Sequence, residues 1–215
     1  MTSPSVLVAC PTAKVKDYAL DSYIRAYDNF EYDSKSLLMV DNTDDGWEYA
    51  DYLYGLGIDC IHIEPFPSLL DTIDLSWQHI LYVAEAGKFE YVLSLESDII
   101  APPETIDVMV DMAEFNNAIL VRHAYDLRSG FTGHICALGC TLMRAKYYPP
   151  LFRESQVLDI DGSVYHEERR FMHVALELKK PAIDLYNVLN LVHLSEGPEI
   201  DVLPRHVERI QMRSV

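Results

Sequence analysis

The sequence predicts an α/β fold: a single domain on a central mixed, mainly parallel sheet flanked by helices. Three observations carry that expectation. Short apolar runs alternate with longer amphipathic stretches from the N-terminus to about residue 117. Several of those runs end abruptly in polar residues, as strands of an open α/β sheet do at their carboxyl ends. No internal repeat or low-complexity linker interrupts the pattern, and 215 residues make one large domain, or two small ones at most.

Ser5–Cys10, SVLVAC, reads as a buried first strand, broken by Pro11-Thr12. A helix is expected over about residues 16–29, with Tyr18, Ala19, Ser22, Tyr23 and Ala26 on one face. Ser36–Val40 is a second strand, running into the turn chemistry of Asp41-Asn42-Thr43-Asp44-Asp45-Gly46. Trp47–Leu56 reads as a helix stopped by Gly55 and Gly57, and Ile58–Ile63 as a third strand. Leu70–Ala86 is the clearest amphipathic helix. Ile73, Trp77, Ile80, Leu81 and Ala84 follow the 3.6-residue period, and Gly87 is expected at the C′ position. Tyr91–Leu95 is the fourth strand. Pro103 is expected to open the next helix at N1, with Ile106, Met109, Val110 and Ala113 inward.

After Asn117 the pattern changes. Ala118–Val121 reads as a strand, Arg122–His134 as a polar loop, and Ile135–Met143 as a Gly-containing strand ended by Tyr147-Tyr148-Pro149-Pro150. Asp159–Ser163 is a polar turn. A helix over Tyr165–Leu178 would turn Phe171, Val174, Ala175 and Leu178 inward. Ile183–Val192 supplies one or two further strands, and His193 follows at once.

Composition excludes several classes of partner. Lys and Arg total 17 against 34 Asp and Glu, a formal net charge of −17. That excess opposes any sequence-independent grip on nucleic acid, which needs clustered positive charge, and opposes an anionic membrane surface. No apolar run approaches the length of a transmembrane helix. The N-terminal MTSPSVLVACP has no basic n-region, so a cytoplasmic location is expected. Of the four cysteines, Cys10, Cys60, Cys136 and Cys140, none forms a CxxC pair. His134-x-Cys136-x3-Cys140 suits no standard zinc spacing, and reduced core cysteines are expected.

The candidate functional residues sit at strand ends. Cys10-Pro11-Thr12, Asp41-Asn42 and Glu96-Ser97-Asp98 should converge on one crevice. The last cluster is the most informative. A buried strand that ends in two carboxylates one residue apart must have them paired, solvated or bound to a cation. A divalent metal with a phosphate-bearing ligand beside it meets that need. Neither GxGxxG nor GxxxxGK[ST] occurs, so no dinucleotide fingerprint or P-loop is supported.

In this order the chain resembles a GT-A (Rossmann-like) glycosyltransferase, close in pattern to the family 2 group of inverting enzymes. The motifs are VACPTAK, MVDNTDDG, LSLESD, then Gly139–Arg144, His166-Glu167-Glu168 and Leu191-Val192-His193. They span about residues 5–194. Glu96 and Glu168 stand where the family pattern has Asp, which keeps each carboxylate on a longer arm. The resemblance implies a nucleotide-sugar donor, with UDP-sugars among the candidates, and a glycan or other hydroxyl acceptor. It implies Mn²⁺ or Mg²⁺ held by Asp98, with His193 as a second protein ligand and Glu96 nearer the ribose or a metal-bound water. Pro11, Thr12, Asp41, Ser97 and Arg128 would line the donor site. The general base would be Glu168 by motif position, with Glu167 in reserve. Residues 1–117 would then form the nucleotide-sugar half, 118–194 the acceptor half, and 195–215 a tail leading to any further domains of a longer chain.

Each residue also has a structural reading. Asp98 would cap the helix behind Pro102-Pro103, and Asp41 its own turn. Glu167 and Glu168 would complement a helix dipole, and His193 would be a surface residue. Two other functions compete. A sugar-nucleotidylyltransferase would want a glycine in the Ser3–Lys16 loop, which has none. A non-catalytic nucleotide- or carbohydrate-binding module would share the fold without the chemistry.

Overall fold

The computed structural model describes residues 3–126, 134–135, 139–148, 171 and 174–194. Seven strands form the main sheet: β1 (Val6–Thr12), β2 (Lys35–Asp41), β3 (Asp59–His62), β4 (Tyr91–Leu95), β6 (Leu120–His123), β9 (Cys140–Arg144) and β10 (Ala182–Leu185). Their order is β10-β6-β9-β4-β1-β2-β3. All neighbours are parallel except β9, which runs antiparallel between β4 and β6. Two short antiparallel pairs stand apart: β5 (Ile99–Ile100) with β11 (Val192–His193), and β7 (Tyr125–Asp126) with β8 (His134–Ile135).

Among the described residues, the helices α1 (Asp17–Asp28), α2 (Glu48–Gly55), α3 (Leu69–Ala86) and α4 (Thr105–Phe115) cover the sheet. Alternation along β1 divides the core in two. Val6, Val8 and Cys10 join one cluster with Tyr23 of α1, Leu53 of α2 and Met109 of α4. Leu7 and Ala9 join the other with Trp77 and Ile80 of α3, and with Phe171 and Ala175. Among the described residues no helix is long and apolar enough to cross a membrane.

Several expectations need correction. β1 does not break at Pro11. It pairs with β2 through Thr12↔Asp41, whereas its pairing with β4 stops at Ala9↔Ser94. Thr12 O accepts from Asn42 N–H on the β2 side, so alternation turns the Pro11 nitrogen to the edge already left unpaired. On α1, Leu20 is buried, while Tyr18 and Ser22 point outward. Gly87 has φ −77°, and Lys88 takes the left-handed turn at φ 55°. Gly87 is a packing glycine: a Cβ there would lie 2.6 Å from the Phe89 ring. Pro103 precedes α4 rather than opening it, and Glu104 is the N-cap residue. The expected strand over 135–143 is two strands, with Gly139 in a turn between them. Residues 174–177 are helical, with Ala175 buried, but Leu178 is exposed.

Candidate functional site

The carboxyl end of β4 builds the corner that Glu96-Ser97-Asp98 predicts. A tight turn closes over these residues, with Ile99 N–H donating to Glu96 O at 2.8 Å, while Glu96 N–H donates to Gly139 O at 3.0 Å. The chain then enters β5, which pairs with β11 in the register His193↔Ile99. Leu194 N–H donates to Asp98 O at 2.7 Å. This two-residue ladder brings His193 beside Asp98, with Nε2 3.6 Å from Asp98 Oδ2. One ligand atom from each of Glu96, Asp98 and His193 lies within 4.8 Å of the others.

Asp98 is 1% exposed, so its charge depends on what surrounds it. Lys16 Nζ approaches Oδ1 at 3.3 Å and Glu96 Oε2 at 3.5 Å. The Tyr18 hydroxyl donates to Oδ2 at 3.4 Å. Tyr18 therefore leaves the core face of α1 for the site. Asp98 does not cap α4, whose N-terminus has no side-chain cap. His193 is braced from behind by the Tyr125 ring, edge-on at 5.7 Å between centroids. That ring fits because residue 139 is glycine: a Cβ there would collide with it and sit 2.6 Å from Ile99 Cδ1.

The ends of β1 and β2 adjoin this corner. Thr12 is in register with Asp41, and its Oγ1 lies 3.2 Å from Ser97 Oγ. Both hydroxyls are buried. Asp41 is fully buried and well engaged. Its Oδ1 accepts from Thr43 N–H at 3.0 Å and Thr43 Oγ1–H at 2.6 Å, the turn cap that the structural reading expects. Its Oδ2 shares a hydrogen bond with His62 Nδ1 at 2.9 Å. His62 Nε2 is buried, makes no hydrogen bond among the described residues, and lies 3.6 Å from Glu64 Oε1. The exposed Trp47 ring lies against that imidazole, 4.9 Å between centroids. Under Pro11, burial pushes the Cys10 thiol up to about 12, so it stays neutral and is no nucleophile.

The structure thus gathers Thr12, Ser97, Glu96, Asp98 and His193, with Asp41 beside Thr12. Arg128, Glu167 and Glu168 lie outside the described residues. Sequence reasoning missed Lys16, Tyr18, His62, Trp47 and Tyr125. Only Tyr125 left a signal: a glycine inside an apparent strand marks close approach by another group.

The donor set fits a hard divalent ion. Two carboxylates and an imidazole converge, and one carboxylate is buried, which suits Mn²⁺ or Mg²⁺ more than a thiolate-seeking metal.

No protein-family model matches the chain, and no curated protein matches it. Solved structures share its fold. S. aureus TarS superposes with a TM-score of 0.50 at 12% identity, over 66% of this chain and 29% of that one. Residues 1–349 of TarS in complex with UDP-GlcNAc give 0.48 at 12% identity, over 66% and 46%. The mannosyltransferase PcManGT from Pyrobaculum calidifontis, in complex with GDP-Man and Mn²⁺, gives 0.47 at 14% identity, over 67% and 45%. The chain spans less than half the length of these structures. At such identity the likeness establishes the α/β fold, a mostly parallel seven-stranded sheet between helices.

Proposed function

We propose that this chain is a nucleotide-sugar glycosyltransferase whose donor lies across the carboxyl ends of β1, β2 and β4. The observation that carries this reading is the convergence of Glu96, Asp98 and His193 from distant parts of the chain. The fold shared with TarS, a protein seen with UDP-GlcNAc, supports it. In this reading Asp98 and His193 hold Mn²⁺ or Mg²⁺, with Glu96 as the supporting carboxylate. The ion would supply positive charge for the departing diphosphate. Thr12, Ser97 and Asp41 line the nucleoside side of the crevice, with Pro11 as its wall and Arg128 toward the diphosphate.

Transfer is an exchange of bonds at the anomeric carbon. The acceptor hydroxyl oxygen bonds to that carbon, and the bond from carbon to diphosphate oxygen breaks. The hydroxyl proton passes to a carboxylate, Glu168 or in its place Glu167. A single displacement of this kind inverts the anomeric centre. The acceptor half and the base both belong to residues 118–194.

The test is a panel of nucleotide sugars assayed for hydrolysis and transfer with and without Mn²⁺. Metal-dependent release of nucleoside diphosphate from at least one donor is expected, with loss of about a thousandfold in Asp98→Ala, several kcal/mol of charge stabilisation. Survival of turnover in that variant would exclude the metal role. Pyrophosphate release from a nucleoside triphosphate would identify a nucleotidylyltransferase. UDP binding that ignores metal, with no turnover, would identify a binding module.

A further inference from the structure

A cation already stands in the acidic corner. Lys16 Nζ is 3.3 Å from Asp98 Oδ1 and 3.5 Å from Glu96 Oε2. These two carboxylates belong to the ligand set of the preceding section. The contact is not local: Lys16 is 80 residues from Glu96 and 82 from Asp98 in sequence. It is held there by the 3-10 turn Lys14–Lys16 at the end of the β1 loop. The loop itself is tied down, with Lys14 N–H donating to Thr43 Oγ1 at 2.8 Å. The ammonium covers a carboxylate with 1% of its side chain exposed, yet 27% of the lysine side chain meets solvent. It therefore has a route out that Asp98 lacks.

We propose that Lys16 is the resident counter-ion of this corner and competes with a divalent cation for Glu96 and Asp98. When the metal enters, the ammonium leaves the carboxylates and takes a phosphate oxygen of a nucleoside diphosphate instead. This rests on the corner being a metal and donor site. The chemistry suits lysine in particular. Its ammonium is a compact charge on a flexible four-carbon stem, so it can move while the carboxylates stay fixed. Two cations cannot share the same carboxylate oxygens without repelling each other at short range. The displaced ammonium keeps its three N–H donors, and a diphosphate offers the acceptors. Metal and nucleoside diphosphate then favour each other's binding through one side chain, which is a coupling free energy between two ligands.

The experiment uses the full chain and two probes, Mn²⁺ and UDP. Free Mn²⁺ is followed by electron paramagnetic resonance, with and without UDP, for wild type, Lys16→Met, Lys16→Gln and Lys16→Arg. Without UDP, Lys16→Met should bind Mn²⁺ about tenfold more tightly than wild type, the increment of one partly buried ion pair. Lys16→Gln should do the same, and carries the test if the Met variant fails to fold by circular dichroism. Lys16→Arg should stay near wild type. UDP should tighten Mn²⁺ binding in wild type and do so less in the neutral variants. Equal or weaker Mn²⁺ binding in the folded neutral variants overturns the role of Lys16 and leaves the metal site standing. Independent binding of Mn²⁺ and UDP by wild type also overturns it. No Mn²⁺ binding by any of these proteins, with or without UDP, overturns the site reading and this inference together.

Discussion

The two ends of β4 handle charge in opposite ways. At its start, Tyr91 is in register with Arg144 of β9. The Tyr91 hydroxyl donates to Glu114 Oε1 at 2.5 Å, and Arg144 reaches the same oxygen at 3.1 Å. Arg144 also donates to Ala118 O and Ala113 O, at 2.9 and 3.2 Å, and its guanidinium lies 5.2 Å from the Tyr91 ring centroid. One acid meets one base, and two guanidinium donors find carbonyls. At the other end, two carboxylates share Lys16, with a tyrosine and a histidine beside them. The same five-residue strand thus has a closed end that fastens helix to sheet and an open end where two carboxylates, a lysine, a tyrosine and a histidine gather. Closed pairing serves stability, and the gathered end is where the proposed cation and anionic ligand would be exchanged.

The contrast should break most sharply at Gly139. Its carbonyl anchors Glu96, and its missing side chain admits Tyr125. Gly139→Ala forces the Tyr125 ring and Ile99 apart, an overpacking cost of about 3 kcal/mol in a core that cannot expand freely. The same shift removes the brace behind His193. Chemical denaturation should show the stability loss, and Mn²⁺ titration a weaker site. Unchanged Mn²⁺ affinity in a destabilised variant would mean that Tyr125 does not position His193.

Arg144→Met makes the complementary test at the closed end. It takes the Arg144 donor from the buried Ala118 carbonyl, while Ala113 O keeps Ala118 N–H and Glu114 keeps the Tyr91 hydroxyl, at a cost of about 2 kcal/mol. UDP and Mn²⁺ binding should match wild type, because nothing at the open end is touched. A loss of UDP affinity comparable with the loss of stability would show that the two ends are coupled through β4.

The same contrast explains what the sequence could announce. β4 matches its expected span, Tyr91–Leu95, because five buried residues between polar boundaries leave one reading. α3 matches within one residue, since its apolar period is long and Ser68 caps it, accepting from Asp71 N–H at 3.4 Å. The strand-end clusters were legible for the same reason: Thr12, Asp41 and Asp98 mark where apolar runs stop. The rest was not legible, because it depends on partners far apart in sequence. β5 and β11 have two residues each, too few for a period. Without that ladder, nothing local states that His193 meets Asp98. Lys16 and Tyr18 sit on a helical pattern that assigns Tyr18 to the core, and only tertiary pairing shows both at the carboxylates. His62 ends a strand whose apolar neighbours hide its bond to Asp41. The Gly139 turn reads as strand because its function is to leave room for a ring from another strand.

The smallest expected effect tests whether the closed end is truly closed. Glu114 has about half its side chain in solvent, so its ion pair with Arg144 is well screened. Glu114→Gln keeps an acceptor for the Tyr91 hydroxyl and should lower stability by less than about 1 kcal/mol at neutral pH. The pH dependence is more telling than the size. The Tyr91 hydrogen bond, helped by Arg144, holds the Glu114 carboxyl below the ordinary glutamate range. A carboxylate with a depressed folded-state pKa adds stability above its unfolded-state pKa, and that stability fades as pH falls through the folded-state value. Wild type and Glu114→Gln should therefore differ at pH 7 and converge in acid, as followed by urea denaturation at a series of pH values. Tyr91 gives the alkaline counterpart. Burial, then Glu114, pushes its phenol up, so its contribution holds at neutral pH and is lost as pH rises past the ordinary tyrosine range. A Glu114→Gln difference that persists unchanged into acid would locate the effect in packing rather than charge.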